Sequence, residues 1–146
     1  MNTLREILSD PQFLIAWIIL VFISLVILIY DFLRNNTHIH SLMKWVWGLT
    51  VLYSGPVGLL IYFYSGRKQI RRDSLWRKGF RSTCHCYSGC GAGEVSGIVI
   101  ALGILALDTV WVAVITFSLA YVFGFAMTMG PLMQEGESLK QAFKDA

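Results

Sequence analysis

The feature that most limits what this chain can fold into is its long uncharged runs. Phe13 to Tyr30 is eighteen residues interrupted only by Ser24, and Val95 to Met129 is almost wholly apolar apart from Asp108. Eighteen helical residues reach about 27 Å, close to the roughly 30 Å hydrocarbon core of a bilayer. The chain is 55% hydrophobic and only 14% charged, whereas a soluble domain carries about 25% charged residues. These features predict an all-α integral membrane protein with one transmembrane domain over residues 1–146. A secretory leader would need a basic start, a shorter apolar core and a small-residue cleavage site. The first run has none of these and reads as a retained helix.

The runs divide into about four transmembrane helices. The first is 13–30. The second is 45–64, with Trp45 and Trp47 at one interface and Tyr62, Phe63 and Tyr64 at the other. Gly55 and Pro56 fall at its middle, where the missing proline N–H predicts a kink. As a single helix, Val95–Met129 would be about 52 Å long, too long for one crossing. Asp108-Thr109 offers the break, giving spans over about 91–107 and 110–129, with Trp111 at the outer interface. A polar tail follows, in which Ser138-x-x-Gln141 has the form of a capping box.

Charge sets the expected orientation. Seven of the twelve Lys and Arg lie between Arg67 and Arg81: Arg67, Lys68, Arg71, Arg72, Arg77, Lys78 and Arg81. A basic loop over 65–83 is cytoplasmic by the positive-inside rule and suits anionic lipid headgroups. Ile70, Leu75, Trp76 and Phe80 add an apolar strip to it. Seven charges beside membrane helices are accounted for by topology and do not call for nucleic acid. With four spans, both termini are expected to be cytoplasmic, and loop 31–44, with His38 and His40, to be external.

The chemistry-bearing stretch is Cys84 to Glu94, which holds all three cysteines. Three cysteines within seven residues do not make a secreted disulfide framework. If a helix begins near Cys86, then Cys86, Cys90 and Glu94 recur at every fourth position and share one face. Gly89, Gly93, Gly97 and Ala101 form a second stripe with the same spacing, suited to close helix packing. Thiolates are soft ligands that favour Cu(I), Zn(II) or an iron–sulfur cluster. The candidate metal ligands are Cys84, His85, Cys86, Cys90 and Glu94, with Met129 and Met133 as thioether donors from the next helix. The main reading is binding or transport of a soft transition metal, chiefly Cu(I), at the cytoplasmic mouth of the third helix. The alternatives are a non-catalytic membrane scaffold or assembly protein, in which the cysteines only pack, and a membrane thiol–disulfide protein. No HExxH, GxSxG, P-loop or dinucleotide fingerprint is present, so the reading leans away from an enzyme. Four spans are few for a complete pathway, so a homo-oligomer or other membrane subunits are expected.

The pattern His85-Cys86-x-x-Gly89-Cys90-x-x-Gly93-Glu94 resembles the HCxxGCxxG[DE] motif of domain-of-unknown-function family 4396, small prokaryotic polytopic membrane proteins. Tyr53-Ser54-Gly55-Pro56 resembles that family's aromatic span, and the likeness extends over roughly residues 45–145. Tyr87, Ser88, Gly91 and Ala92 depart from the family's usual residues, and Glu94 stands for Asp. The resemblance implies a location in the prokaryotic inner membrane and further helices beyond Asp145. It implies no established activity.

Overall fold

The computed structural model describes residues 10–67, 74–134, 136 and 138–140, and every regular element among them is helical. The first helix, α1 (Pro11–Arg34), opens on Asp10, whose side chain accepts from the Gln12 N–H at 3.0 Å. Pro11 follows in the first turn, where its missing N–H costs no hydrogen bond. Ser24 donates to the Leu20 carbonyl at 2.7 Å, so its hydroxyl is satisfied within the helix. Only Ser24, Leu28 and Asp31 of α1 are buried. The other faces present large apolar side chains such as Ile18, Phe22 and Ile29 outward.

The segment expected to cross as one kinked helix reverses instead. Helix α2 (Ser41–Ser54) and helix α3 (Pro56–Ser65) are separated by Gly55, whose φ of +56° is in the left-handed region that favours glycine. Pro56 then starts α3 with its fixed φ. A Cβ added at Gly58 would meet the Thr50 carbonyl oxygen at 2.7 Å, and one at Gly66 would meet the Trp47 ring at 2.7 Å. The Trp47 and Tyr62 rings are edge to face at 5.4 Å. Trp47 and Gly66 would be about 28 Å apart along one helix; their contact defines an antiparallel hairpin. The reading of 45–64 as a second span is therefore corrected. A kink needs only a missing N–H, whereas this reversal also needs the positive φ of Gly55 and the bare Cα of Gly58.

The hairpin returns the chain to the end of α1. Asn36 donates to the Tyr62 hydroxyl at 3.0 Å and to the Gly66 carbonyl at 3.3 Å. Loop 31–44 and the start of the basic segment thus lie at one end of the bundle, not at opposite ends as expected. The hairpin tip is packed against α1 deeper in: a Cβ at Gly55 would meet Val21 at 3.2 Å and Trp17 at 3.4 Å.

Helix α4 (Leu75–Ile98) continues into a π-helical segment, Val99–Ile104. Ser74 caps its start, accepting from the Arg77 N–H at 3.4 Å. Residues 75–83, read from sequence as loop, are helical, and the helix begins eleven residues before Cys86. Charge density had suggested a loop, but the long stems of Arg77, Lys78 and Arg81 carry their charges away from a helix surface as readily as from a loop. At the far end Ala106 has φ +48° and Leu107 N–H bonds back to the Ala101 carbonyl at 2.9 Å. Asp108 then caps α5 (Thr109–Gln134), accepting from the Trp111 N–H at 3.3 Å. Among the described residues, three helices are long and apolar enough to cross a membrane: Pro11–Arg34, Leu75–Ile104 and Thr109–Gly130.

Candidate functional site

The α4–α5 interface places the cysteine stretch. Gly97 lies against Thr116, Gly93 against Ala120 and Gly89 against Gly124, where an added Cβ would come within 2.6, 2.6 and 2.7 Å. His85 Nδ1 lies 3.3 Å from the Met127 carbonyl oxygen one step further on. These pairs form a regular antiparallel ladder in which the two backbones nearly touch. Ala101, in the π-helical segment, is fully buried.

The sulfur atoms separate by face. Cys84 is 5% exposed and belongs to the core under the hairpin, where its thiol meets Thr50. Cys86 is exposed and Cys90 is half-buried, and their sulfurs are 3.6 Å apart. The Cys90 sulfur covers α5 at Gly124, where a Cβ would meet it at 2.7 Å. Glu94, one turn further, is exposed on the same stripe. The structure therefore brings together Cys86 and Cys90, sets Glu94 one turn along the same stripe, and leaves Cys84 and His85 turned to other neighbours. Met129 and Met133 lie about one and a half and two and a half turns beyond Gly124 toward the end of α5, offset from the sulfur pair. Among the described residues no group of three or more His, Cys, Asp and Glu side chains is assembled for a metal ion.

Along α4 the pair lies beyond the level at which the hairpin ends. Arg81 donates to the Ser65 carbonyl at 3.1 Å, and the Phe80 ring meets the Tyr64 ring at 5.9 Å. This fixes the level of α4 at which the hairpin ends. Cys86 and Cys90 lie about 8 and 14 Å further along the helix. There Tyr87 meets the hairpin tip, its hydroxyl accepting from Ser54 at 3.1 Å and its ring meeting Tyr53 at 5.8 Å.

Residues 75–146 match the family model of a domain of unknown function, DUF4396. The chain is similar to DUF4396 over its last 72 residues, just under half of its length. The match opens at the first residue of α4, so it takes in α4 and α5, while α1 and the hairpin precede it. The resemblance drawn from 45 onward thus reaches further back than the family match. No curated protein and no solved structure matches the chain.

Outside the matched residues is a buried polar cluster at the base of the hairpin. Asp31, 2% exposed, accepts from the Tyr62 hydroxyl at 2.6 Å, from Asn35 at 2.8 Å and from Arg67 Nε at 3.1 Å. Arg67 Nη2 also bridges to its other carboxylate oxygen. The hydrogen bonds to Asp31 push the Arg67 guanidinium above its ordinary pKa. Sequence reading assigned Arg67 to headgroups and left Asp31 in a loop. The signal for the cluster was an acid at the end of an apolar run, which in a membrane protein calls for a partner.

The other basic candidates divide similarly. The Arg77 guanidinium lies over the Tyr64 ring at 5.0 Å, and Lys78 is exposed. Lys68, Ile70, Arg71, Arg72 and the capping residue Gln141 lie outside the described residues. Leu75, Trp76, Gly79, Phe80 and Thr83 line an apolar groove of about 540 Å³ at the start of α4.

Proposed function

We propose that this chain is an integral membrane protein that binds a soft transition metal, Cu(I) or Zn(II), through the Cys86–Cys90 dithiol. The observation that carries this is the 3.6 Å sulfur separation on an open helix stripe. Two Zn–S bonds of about 2.3 Å at a tetrahedral angle put their sulfurs about 3.8 Å apart, so these two thiols need almost no movement to chelate. Cu(I) is equally suited to a pair of thiolates. Glu94 lies one turn along the same stripe and is not one of the two chelating groups. Cys84 and His85 hold α4 to its neighbours and act as positioning residues.

The orientation follows from charge. The basic residues from Arg67 to Arg81 place their end of the bundle at the cytoplasmic face, where Lys78 and its neighbours meet anionic headgroups. Loop 31–44 and the end of α5 go with them, because Asn36 bonds to Gly66 and a Cβ at Gly130 would meet Leu42 at 2.8 Å. The start of α1 then lies on the opposite side, with the hairpin re-entering from the cytoplasm and returning to it.

The test is elemental analysis of protein purified under reducing conditions. Wild type is expected to retain Cu or Zn, and Cys86→Ser with Cys90→Ser to lose it. Equal metal in both, or none in wild type after reconstitution with either metal, overturns the reading.

A further inference from the structure

We propose that the Cys86–Cys90–Glu94 stripe is the face on which a second copy of this chain docks, so that two dithiols close one four-thiolate metal site. The inference rests on the metal reading above and names what completes that site.

Three observations on the stripe require a partner. First, the dithiol supplies two ligands, a closed structural centre takes four, and no third His, Cys, Asp or Glu joins the pair among the described residues. Second, Cys86 and Glu94 are exposed on a helix that is a candidate membrane span. A carboxyl facing hydrocarbon is costly, and acidic residues in spans almost always turn to a protein neighbour. Third, the stripe is flanked by large outward apolar side chains, with Tyr87 44% and Val95 53% exposed.

A second copy meets all three needs through depth alone. Copies inserted in the same orientation carry each residue at the same level of the bilayer. A two-fold axis along the membrane normal then sets a surface patch against itself. Cys86 and Cys90 each meet their own counterpart, giving two pairs of sulfurs with one pair a helical turn beyond the other, and Glu94 meets a second Glu94 with which it shares one proton. The bare Cα of Gly124 beneath the Cys90 sulfur lets that thiol sit low against α5, which leaves room for the opposing helix to approach. The thiols lose their protons on binding, so assembly of the centre releases protons.

The experiment uses the full chain in lipid vesicles. In a Cys86→Ala, Cys90→Ala background, Glu94→Cys is oxidised and covalent dimer is measured. Thr83→Cys, on the same stripe and exposed, repeats the measurement should Glu94→Cys fold poorly. Ile29→Cys, exposed on α1, is the control. Disulfides require Cα atoms within about 7 Å, so dimer is expected from the stripe positions and not from Ile29→Cys. Wild type loaded with Zn(II) is expected to hold one metal per two chains. No dimer from either stripe position, or equal dimer from the control, overturns the proposal. One metal per chain on a monomer overturns it and leaves the metal reading intact. Stripe-specific dimer with no metal at any loading overturns the metal reading and, with it, the shared centre.

Discussion

Asp31 and Arg67 lie thirty-six positions apart in the chain and meet through two donors of one guanidinium, closing the base of a hairpin of helices. Asp31 is the last buried side chain of α1, and Arg67 follows the end of α3. The bond between them places the two ends of segment 31–67 side by side.

The ion pair is a strong determinant of stability. Removing one member of a buried pair leaves the other uncompensated and costs about 3–5 kcal/mol. Asp31→Ala is expected to approach that range because Asp31 also receives hydrogen bonds from Tyr62 and Asn35. Arg67→Ala is expected to cost less, since Arg67 is 35% exposed and partly solvated. Thermal unfolding in detergent, compared across the two variants, gives the order; equal effects would remove the argument from burial.

The hairpin makes a topological prediction. His38→Cys, Lys78→Cys and Val110→Cys, each in a Cys86→Ala, Cys90→Ala background, are to be labelled in sealed vesicles with a membrane-impermeant thiol reagent. His38 and Lys78 are expected to react from the same side and Val110 from the other. Reaction of His38 and Lys78 from opposite sides would restore a continuous second span.

Gly93 and Gly103 test the α4–α5 contact against each other. A Cβ at Gly93 would run into the α5 backbone at Leu119 and Ala120, whereas at Gly103 it meets nothing within 4 Å. Overpacking a tight contact costs about 1–3 kcal/mol. Gly93→Ala is expected to lower the unfolding temperature, and Gly103→Ala to leave it unchanged or raise it slightly, as alanine favours helix.

The three thiols are expected to differ in reactivity. Cys86 is exposed, Cys90 half-buried against Gly124, and Cys84 buried at 5%. Timed alkylation in detergent, read by mass spectrometry of single-cysteine variants, is expected to give the order Cys86, Cys90, Cys84. Fast modification of Cys84 without unfolding would contradict its place under the hairpin.

Gly55 carries the reversal. Gly55→Ala forces a Cβ onto a positive φ and to within 3.2 Å of Val21. With ψ at −130° Gly55 lies outside the left-handed helical well, so the cost is expected at about 1–3 kcal/mol, with weaker Asn36–Tyr62 docking measured as faster hydrogen exchange over 36–40.

Much of this molecule is legible in its residues one element at a time. Apolar length marks α1 and α5, Asp108 marks the turn between α4 and α5, and four-residue spacing puts Cys86, Cys90 and Glu94 on one stripe beside Gly89, Gly93 and Gly97. These are properties of a single helix, fixed by 3.6 residues per turn. Spacing could not say that α4 starts at Leu75, because a basic amphipathic turn and a basic loop have the same composition.

Tertiary structure decided what lies between helices. Whether Gly55-Pro56 bends a helix or reverses it depends on whether Gly58 finds the Thr50 carbonyl to pack against and whether Asp31 finds Arg67. Neither partner is within a helical turn of the other, so no local pattern encodes the pairing. The same holds for the cysteines: periodicity put two thiols on a face, but only the approach of α5 at Gly124 and of the hairpin at Thr50 separated Cys86 and Cys90 from Cys84. Helix-forming signals act over a few residues. The burial of one carboxylate and the covering of one sulfur are settled by chain segments that meet only after the helices have formed.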